Sequence, residues 1–271
     1  MSIEQVDGAT QNERRTTTRE CFMRVTMLGT GTGVPVPHRG YAGLLLEIGG
    51  ERVLCDAGPG TLRQLTKTGN SYLDLNRLFV THAHPDHSLD VVSILFAMRM
   101  PGAPRRRPFH IYGPRGLQRL IRRLNVAFHG WLAAETYRLT IHEMGQASFT
   151  CGRYRVVTRR MEHSTEAIGY RFTSGRRVVV YSGDTDTGGG IVELAAGADL
   201  LILECSTTDE RKVKGHLTPT ECGRIAAKAG VGHLVLTHFY PVFQGYDIRA
   251  RVRRAFRGRL TLAKDFHTFA P

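Results

Sequence analysis

Short apolar runs broken by polar, glycine-bearing turns set the pattern of this chain. FMRVTMLGTG (residues 22–31) reads as a strand ending in a glycine-rich turn, and YAGLLLEI followed by ERVLCDAG reads as two strands joined at Gly49-Gly50. TLRQLTKTG has helical spacing with a glycine stop, and LNRLFVTHAH is a short apolar strand that runs straight into a histidine-rich loop. Residues 88–100 read as a buried helix ended by Pro101 and Pro104. The pattern then recurs in kind. FHIYG is strand-like, PRGLQRLIRRLNVAF is an amphipathic helix opened by Pro114, and residues 137–172 alternate as strands. RVVVYSGDT and LLILECS are buried strands that deliver polar side chains to a sheet edge, a helix begins near Thr218, and HLVLTHFYP is the last strand of this kind.

Strands and helices therefore alternate in two blocks of similar size, the first ending before about Phe109. Periodicity by itself gives a mixed α/β class. No repeat of solenoid length is present. The first twenty residues lack an apolar run, so they read as a disordered leader, with one domain over residues 21–271. No apolar stretch approaches the roughly 18 to 20 residues that a membrane-spanning helix needs, and a cytoplasmic protein with no membrane partner is expected. Five cysteines, odd in number and never in a CxxC arrangement, read as small buried hydrophobes rather than a disulfide framework.

A net charge of +13 favours an anionic partner. Nearly all the cations are arginines, among them Arg105 to Arg107, Arg115, Arg119, Arg122 and Arg123, which offer a basic face for RNA. A general preference for arginine would give the same excess as a merely solvated helix face.

The chemistry concentrates at His82-Ala83-His84-Pro85-Asp86-His87, four potential ligands within six positions directly after an apolar strand. Imidazole and carboxylate suit Zn²⁺, and more donors are present than one ion needs, so two metals sharing a site are expected. His163, Asp184 and His238 each follow another strand-like run and complete two coordination spheres. Taken singly, each of these three is equally readable as a core or capping residue.

These segments resemble the metallo-β-lactamase superfamily, and within it the ribonuclease Z (tRNA 3′-processing endonuclease and phosphodiesterase) group. The resemblance runs from about Met23 to Phe269 and includes LGTGTGVPVPHRGYAGLLLEIGGERVLCDAGPGTLRQL, THAHPDHSLD, IYGPRGL, HSTEAIGYRF, YSGDT and LVLTHFYP. It implies a four-layer αββα sandwich of two sheets with helices outside. It also implies that His82, His84 and His163 hold one metal, that Asp86, His87 and His238 hold the other, and that Asp184 bridges them together with a hydroxide. Asp86, Glu204 in LECST and His216 in GHLTP would serve catalysis, the last two as the acid-base pair that protonates the leaving group. Glu204 is alternatively a residue that orients a loop. Asp56 would accept a hydrogen bond from a metal-bound histidine, or else serve as a turn residue before Gly58. His38, in the VPVPHRG loop, is a candidate substrate contact; His110, His129, His142, His233 and His267 have no ligand-like spacing.

The resemblance implies a hydrolase with two divalent ions, Zn²⁺ expected and Mn²⁺ or Fe²⁺ as alternatives, whose bridging hydroxide attacks a phosphodiester or another small anionic substrate. An ester, lactone, thioester or sulfate on the same dinuclear site is the alternative. Relatives are commonly dimers, so a homodimer is expected by analogy. One departure matters. Members that process tRNA carry a long tRNA-gripping arm between the third metal motif and the bridging aspartate, whereas here only twenty residues separate His163 from Asp184. The arm is absent.

Overall fold

The computed structural model describes residues 22–101 and 105–271; the leader read over residues 1–20, together with Cys21 and Pro104, lies outside them. Two seven-stranded sheets face one another. The first contains β1 (Met23–Gly29), β2 (Gly43–Ile48), β3 (Glu51–Cys55), β4 (Leu75–Phe79), β5 (Phe109–Gly113) and β6 (Leu139–Glu143). The second contains β7 (Ala147–Cys151), β8 (Tyr154–Arg160), β9 (Ile168–Ser174), β10 (Arg177–Tyr181), β11 (Leu200–Glu204), β12 (His233–Thr237) and β13 (Arg259–Leu262). The short C-terminal β14 (Thr268–Phe269) returns to pair with β1.

The two sheets share one construction. β1 to β3 form an antiparallel meander and β3 to β6 continue in parallel. β7 to β10 repeat the meander and β10 to β13 the parallel run. Parallel strands need crossovers, which α1 (Thr61–Lys67), α2 (Pro85–Ser88), α3 (Val91–Arg99) and α4 (Leu117–Ala127) help to build on one side. α5 (Ile191–Ala195), α6 (Pro219–Ala229) and α7 (Ile248–Arg253) do so on the other.

Because helices cover the outer face of each sheet, the strands are apolar on both faces, and successive residues split between two cores. In β2, Leu44, Leu46 and Ile48 point between the sheets, while Leu45 points to the helices. In β11, Leu200 and Ile202 go inward and Leu201 and Leu203 pack under α5 and α6. The middle core is aromatic: Phe79 stacks on Tyr112 with ring centroids 4.7 Å apart and meets Tyr170 and Phe172 edge-on. Full burial of a side chain such as Phe79 stabilises the fold by about 1.5–3 kcal/mol. This is the expected αββα sandwich.

Three local readings need correction. The first sheet does not end before Phe109; it runs on through β5 and β6, because a parallel strand joins whichever sheet its crossover returns it to, which periodicity does not encode. The helix read over residues 88–100 is shorter, α3 (Val91–Arg99), and is set apart from the turn of α2 where the Asp90 amide donates to the Ala57 carbonyl instead of back along the helix. The helix expected to open at Pro114 opens at Leu117, behind Gly116 in the left-handed region (φ 96°). β13, β14, α5 and α7 are additional to the elements read from the pattern; all are six residues or shorter.

Strands that run parallel present their C-terminal ends at one edge, where ligands of open α/β sheets gather. Here β3, β4, β8, β10, β11 and β12 end together, and the loops after them carry the polar side chains.

Candidate metal centre

Each expected ligand is delivered by one of those loops. β4 leads to His82 and His84, and the single turn of α2 turns Asp86 and His87 toward the same point, with His84 as its N-cap residue and Pro85 at its first position. His163 follows β8, Asp184 follows β10, and His238 follows β12 with φ of 60°, a left-handed backbone unusual for a non-glycine residue. Gly183, just before Asp184, has φ of 58°, and a Cβ there would lie 2.5 Å from Cβ of Thr81, so only glycine allows the two loops this approach.

The donors fall into two groups that share one carboxylate. His82 Nε2 and His163 Nε2 lie 3.1 and 3.2 Å from His84 Nδ1, and 3.7 and 3.8 Å from Asp184 Oδ2. His87 Nε2 and His238 Nε2 lie 3.1 Å apart, each within 3.8 Å of Asp86 Oδ2, and 3.2 and 3.4 Å from Asp184 Oδ1. The two oxygens of Asp184 thus face opposite groups. Asp184 Oδ1 is buried and accepts no hydrogen bond. Imidazole nitrogens that converge on one another and on an unsatisfied carboxylate oxygen fit a cation and nothing else in the side-chain repertoire. His82, His84, His163 and Asp184 form one such group and Asp86, His87 and His238 another, the donor atoms of each within 4.8 Å of one another.

In four of the five rings the opposite nitrogen is held from outside, which fixes the tautomer that points a lone pair inward. His87 Nδ1 donates to Asp56 Oδ2 at 2.7 Å, His163 Nδ1 to the Gly215 carbonyl at 2.8 Å, His238 Nδ1 to Ser206 Oγ at 2.9 Å, and His82 Nδ1 to Thr81 Oγ1 at 3.0 Å. Asp56 is fully buried and also accepts from the Thr81 amide, the Thr81 hydroxyl and the Tyr181 hydroxyl. Its expected bond to a histidine of the cluster is present, and it joins both sheets beneath the site.

Electrostatics follow the burial. Desolvation, reinforced by neighbouring imidazoles, pushes His82 well below the usual histidine range and lowers His84. Burial would raise Asp184, but the surrounding histidines, His238 and His87 foremost, hold it well below the ordinary carboxylate value. The same balance lowers Asp86, and Asp184 and Asp56 raise His87 against its burial.

Glu204 and His216 stand at the rim. Glu204, at the end of β11, is 1% exposed, and all four of its acceptor positions are used. Oε1 accepts from the Thr185 amide at 2.8 Å and His216 Nδ1 at 3.0 Å; Oε2 accepts from the Ser206 hydroxyl and from the Leu217 amide at 3.2 Å. Burial would lower His216, but the hydrogen bond and charge of Glu204 outweigh it and bring the ring to about 9. His216 Nδ1 is 3.9 Å from Asp184 Oδ2, so an imidazole whose pKa Glu204 raises borders the shared carboxylate.

Ser206, Thr81, Tyr181 and Tyr240 are site residues that sequence reasoning passed over. The ring of Tyr240 lies edge-on to those of both His216 and His238. Its position two residues after His238 was the available signal. His38 is exposed in a groove of about 920 Å³ lined also by Arg39, Arg63 and Lys67. His110 and His142 stack on each other away from the centre, at 5.5 Å. Cys55, Cys151, Cys205 and Cys222 are buried free thiols, as expected.

The chain is similar to known proteins over most of its length. Residues 51–239 match the family model described as Beta-lactamase superfamily domain. Ribonuclease Z of Streptomyces coelicolor is 32% identical, covering 89% of this chain and 95% of its own length. Ribonuclease Z of Methanothermobacter thermautotrophicus is 30% identical over 91% and 96%. The alignment with the first runs over 292 positions, more than the 271 residues here, so that relative carries segments with no counterpart in this chain. Among solved structures, the metallo-β-lactamase fold protein YhfI of Bacillus subtilis superposes with a TM-score of 0.80 at 26% identity, covering 92% of this chain and all of the other. Human tRNase Z, short form, gives 0.74 at 29% identity, covering 91% and 98%.

Proposed function

The chain belongs to the beta-lactamase superfamily, in its metallo-β-lactamase fold, and from that premise we propose that it is a ribonuclease Z-like phosphodiesterase working with two divalent ions. One observation carries the reading. A histidine whose Nδ1 is held by a buried glutamate borders two donor groups that share a carboxylate, an arrangement that favours its protonated form and suits a leaving oxygen that needs a proton. In this assignment His82, His84 and His163 would hold one ion and Asp86, His87 and His238 the other, with Asp184 available to both. Zn²⁺ suits the donor set, with Mn²⁺ or Fe²⁺ as alternatives. Bound ions would supply hydroxide at neutral pH and neutralise charge that develops on the phosphoryl oxygens. The protein's own part is to hold the His82, His87, His163 and His238 rings in the inward-facing tautomer, to keep Asp184 ionised, and to place the His216 proton where the departing oxygen emerges.

Small phosphodiesters are favoured over tRNA by the segment between His163 and Asp184. Its β9 and β10 pair directly from Ser174 to Arg177 around a two-residue turn, leaving no length for an arm. A second reading, RNA, is supported by the ribonuclease Z relatives and by Arg115, Arg119, Arg122 and Arg123, all exposed on or beside α4. Arg105 drops out of that basic face. It is 2% exposed and its guanidinium is spent on the carbonyls of Leu73, Arg107 and Pro108. A homodimer is proposed through the exposed Phe96 and Trp131, which meet edge to face at 5.9 Å. No helix among the described residues is long and apolar enough to cross a membrane. We place the protein in the cytoplasm on its buried free thiols.

The test is to quantify bound metals by plasma mass spectrometry and to assay one batch on bis(p-nitrophenyl) phosphate and on a pre-tRNA with a 3′ trailer. About two metals per chain with cleavage of the diester alone supports the arm-less phosphodiesterase. Cleavage of the pre-tRNA favours the RNA reading, and metals with neither activity would sink both and direct attention to ester, lactone, thioester and sulfate substrates.

A further inference from the structure

The loop between β11 and α6 carries His216, and a lysine in that loop is wired to both sides of the site. Lys212 Nζ donates to Asp186 Oδ1 at 2.7 Å, to the carbonyl of His216 itself at 2.6 Å, and to Glu221 Oε2 at 2.7 Å. An ammonium has three N–H donors, and all three are committed. Each partner belongs to a different part of the site. Asp186 lies two residues past Asp184, on the loop that delivers the shared carboxylate. Glu221 is the third residue of α6 and closes the capping box with Thr218, which anchors the far end of the His216 loop.

The circuit closes on the first donor group. The other oxygen of Asp186, Oδ2, accepts the Gly215 amide at 2.8 Å, and the Gly215 carbonyl accepts His163 Nδ1 at 2.8 Å. Gly215 has φ of 89°, which lets its amide and carbonyl face these two partners at once. A line of hydrogen bonds therefore runs from His163 through Gly215 and Asp186 to Lys212 and on to the His216 backbone. Glu204 orients the His216 ring and, through the Leu217 and Thr185 amides, holds one side of the 216–217 peptide near the Asp184 loop; Lys212 holds the opposite side, the His216 carbonyl, to Asp186 of that same loop.

We propose that Lys212 is the positioning residue for His216, setting the distance between the leaving-group acid and the shared carboxylate by clasping the His216 carbonyl to Asp186. This role rests on the reading of His216 as the acid. A planar guanidinium cannot direct three donors to three converging acceptors as an ammonium does, so arginine should restore the clasp only in part.

The experiment compares the metal-loaded parent, Lys212→Met, Lys212→Arg and His216→Ala on bis(p-nitrophenyl) phosphate, whose leaving group needs no proton, and on a dinucleotide, whose ribose oxygen does. Lys212→Met is expected to lower kcat on the dinucleotide on the order of 10- to 100-fold, as a displacement near 1 Å would. It should change kcat on the nitrophenyl ester by less than about threefold and leave metal content unchanged, with Lys212→Arg falling between parent and Met. In parallel, histidine-selective ¹⁵N NMR, with the His216 signal identified by its loss in His216→Ala, should show that signal broadened or shifted in Lys212→Met while His82, His84, His87 and His238, which lie outside that line of hydrogen bonds, keep theirs. Equal losses on both substrates, or an unmoved His216 signal, would overturn the proposal. Should His216→Ala itself show no preference between the substrates, the acid assignment fails first, and the NMR arm still reports whether Lys212 places the ring.

Discussion

Replacing Glu204 with Gln should move the alkaline limb of the pH profile and cost stability at once. Every acceptor position of Glu204 is met by a donor: two on Oε1 from Thr185 and His216, two on Oε2 from Ser206 and Leu217. A glutamine amide placed either way round opposes its NH₂ to two of these. The less costly orientation puts it toward His216, which can give up its proton and accept; one buried donor pair, at Thr185, then stays opposed, costing about 1–3 kcal/mol. His216 also loses the charge that holds it near 9 and falls toward the ordinary histidine value of about 6.5, because burial, the largest influence left, and His87 then oppose only the charge of Asp184. At pH 8 the protonated fraction drops from about nine-tenths to about 3%, roughly a 30-fold loss of acid. The assay is kcat against pH on the dinucleotide and on bis(p-nitrophenyl) phosphate. The dinucleotide profile should lose its alkaline limb near pH 9 and decline from about pH 6.5, with the nitrophenyl ester little affected. An unmoved limb, or one loss shared by both substrates, would refute the reasoning.

Asp56→Asn keeps the left-handed backbone that Asp56 adopts (φ 57°) but weakens its hold on His87; metal affinity measured by chelator competition should fall about 10- to 100-fold, and an unchanged affinity would remove Asp56 from the site's support. Stripping the metals should lower the thermal midpoint on the order of 10 °C, since two ligands that bind only the folded state are lost; scanning calorimetry with and without chelator reads this, and coincident midpoints would speak against resident ions. His233 is 7% exposed, donates to or accepts from Thr261 at 2.9 Å, and is pushed down to about 4 by burial and by Arg259. The unfolded chain takes up that proton below about 6.5 while the folded chain does not, so stability is retained above pH 6.5 and lost toward pH 4. Relative to His233→Gln the loss should be on the order of 2 kcal/mol by denaturant titration, and parallel curves for the two proteins would contradict it.

Much of the site was legible in the chain because its chemistry is compressed. His82 to His87 occupy one short stretch, and four donors packed into six residues after a buried strand point to a metal before anything else. His163, Asp184 and His238 were readable for a related reason: each stands just past a run of apolar residues that must be a buried strand, and strand ends are where polar groups escape the core. Strand existence was legible as well, since a strand covered on both faces is written as a continuous apolar word. The missing arm was a matter of counting residues.

Tertiary structure decided what distance in sequence conceals. Which sheet β5 and β6 join depends on where their crossovers return, and no local pattern carries that information. Arg105 looked like part of a basic surface until the carbonyls of residues 73, 107 and 108 closed around it. Asp184 could be named as a shared ligand by resemblance, but only the packing of the two sheets turns its two oxygens to different histidine groups. Ser206, Lys212 and Asp186 had no sequence signal beyond proximity to a motif. Their roles come from hydrogen bonds a few ångströms long between loops 20 to 50 residues apart, and such bonds are fixed only when the strands beneath them have chosen their register.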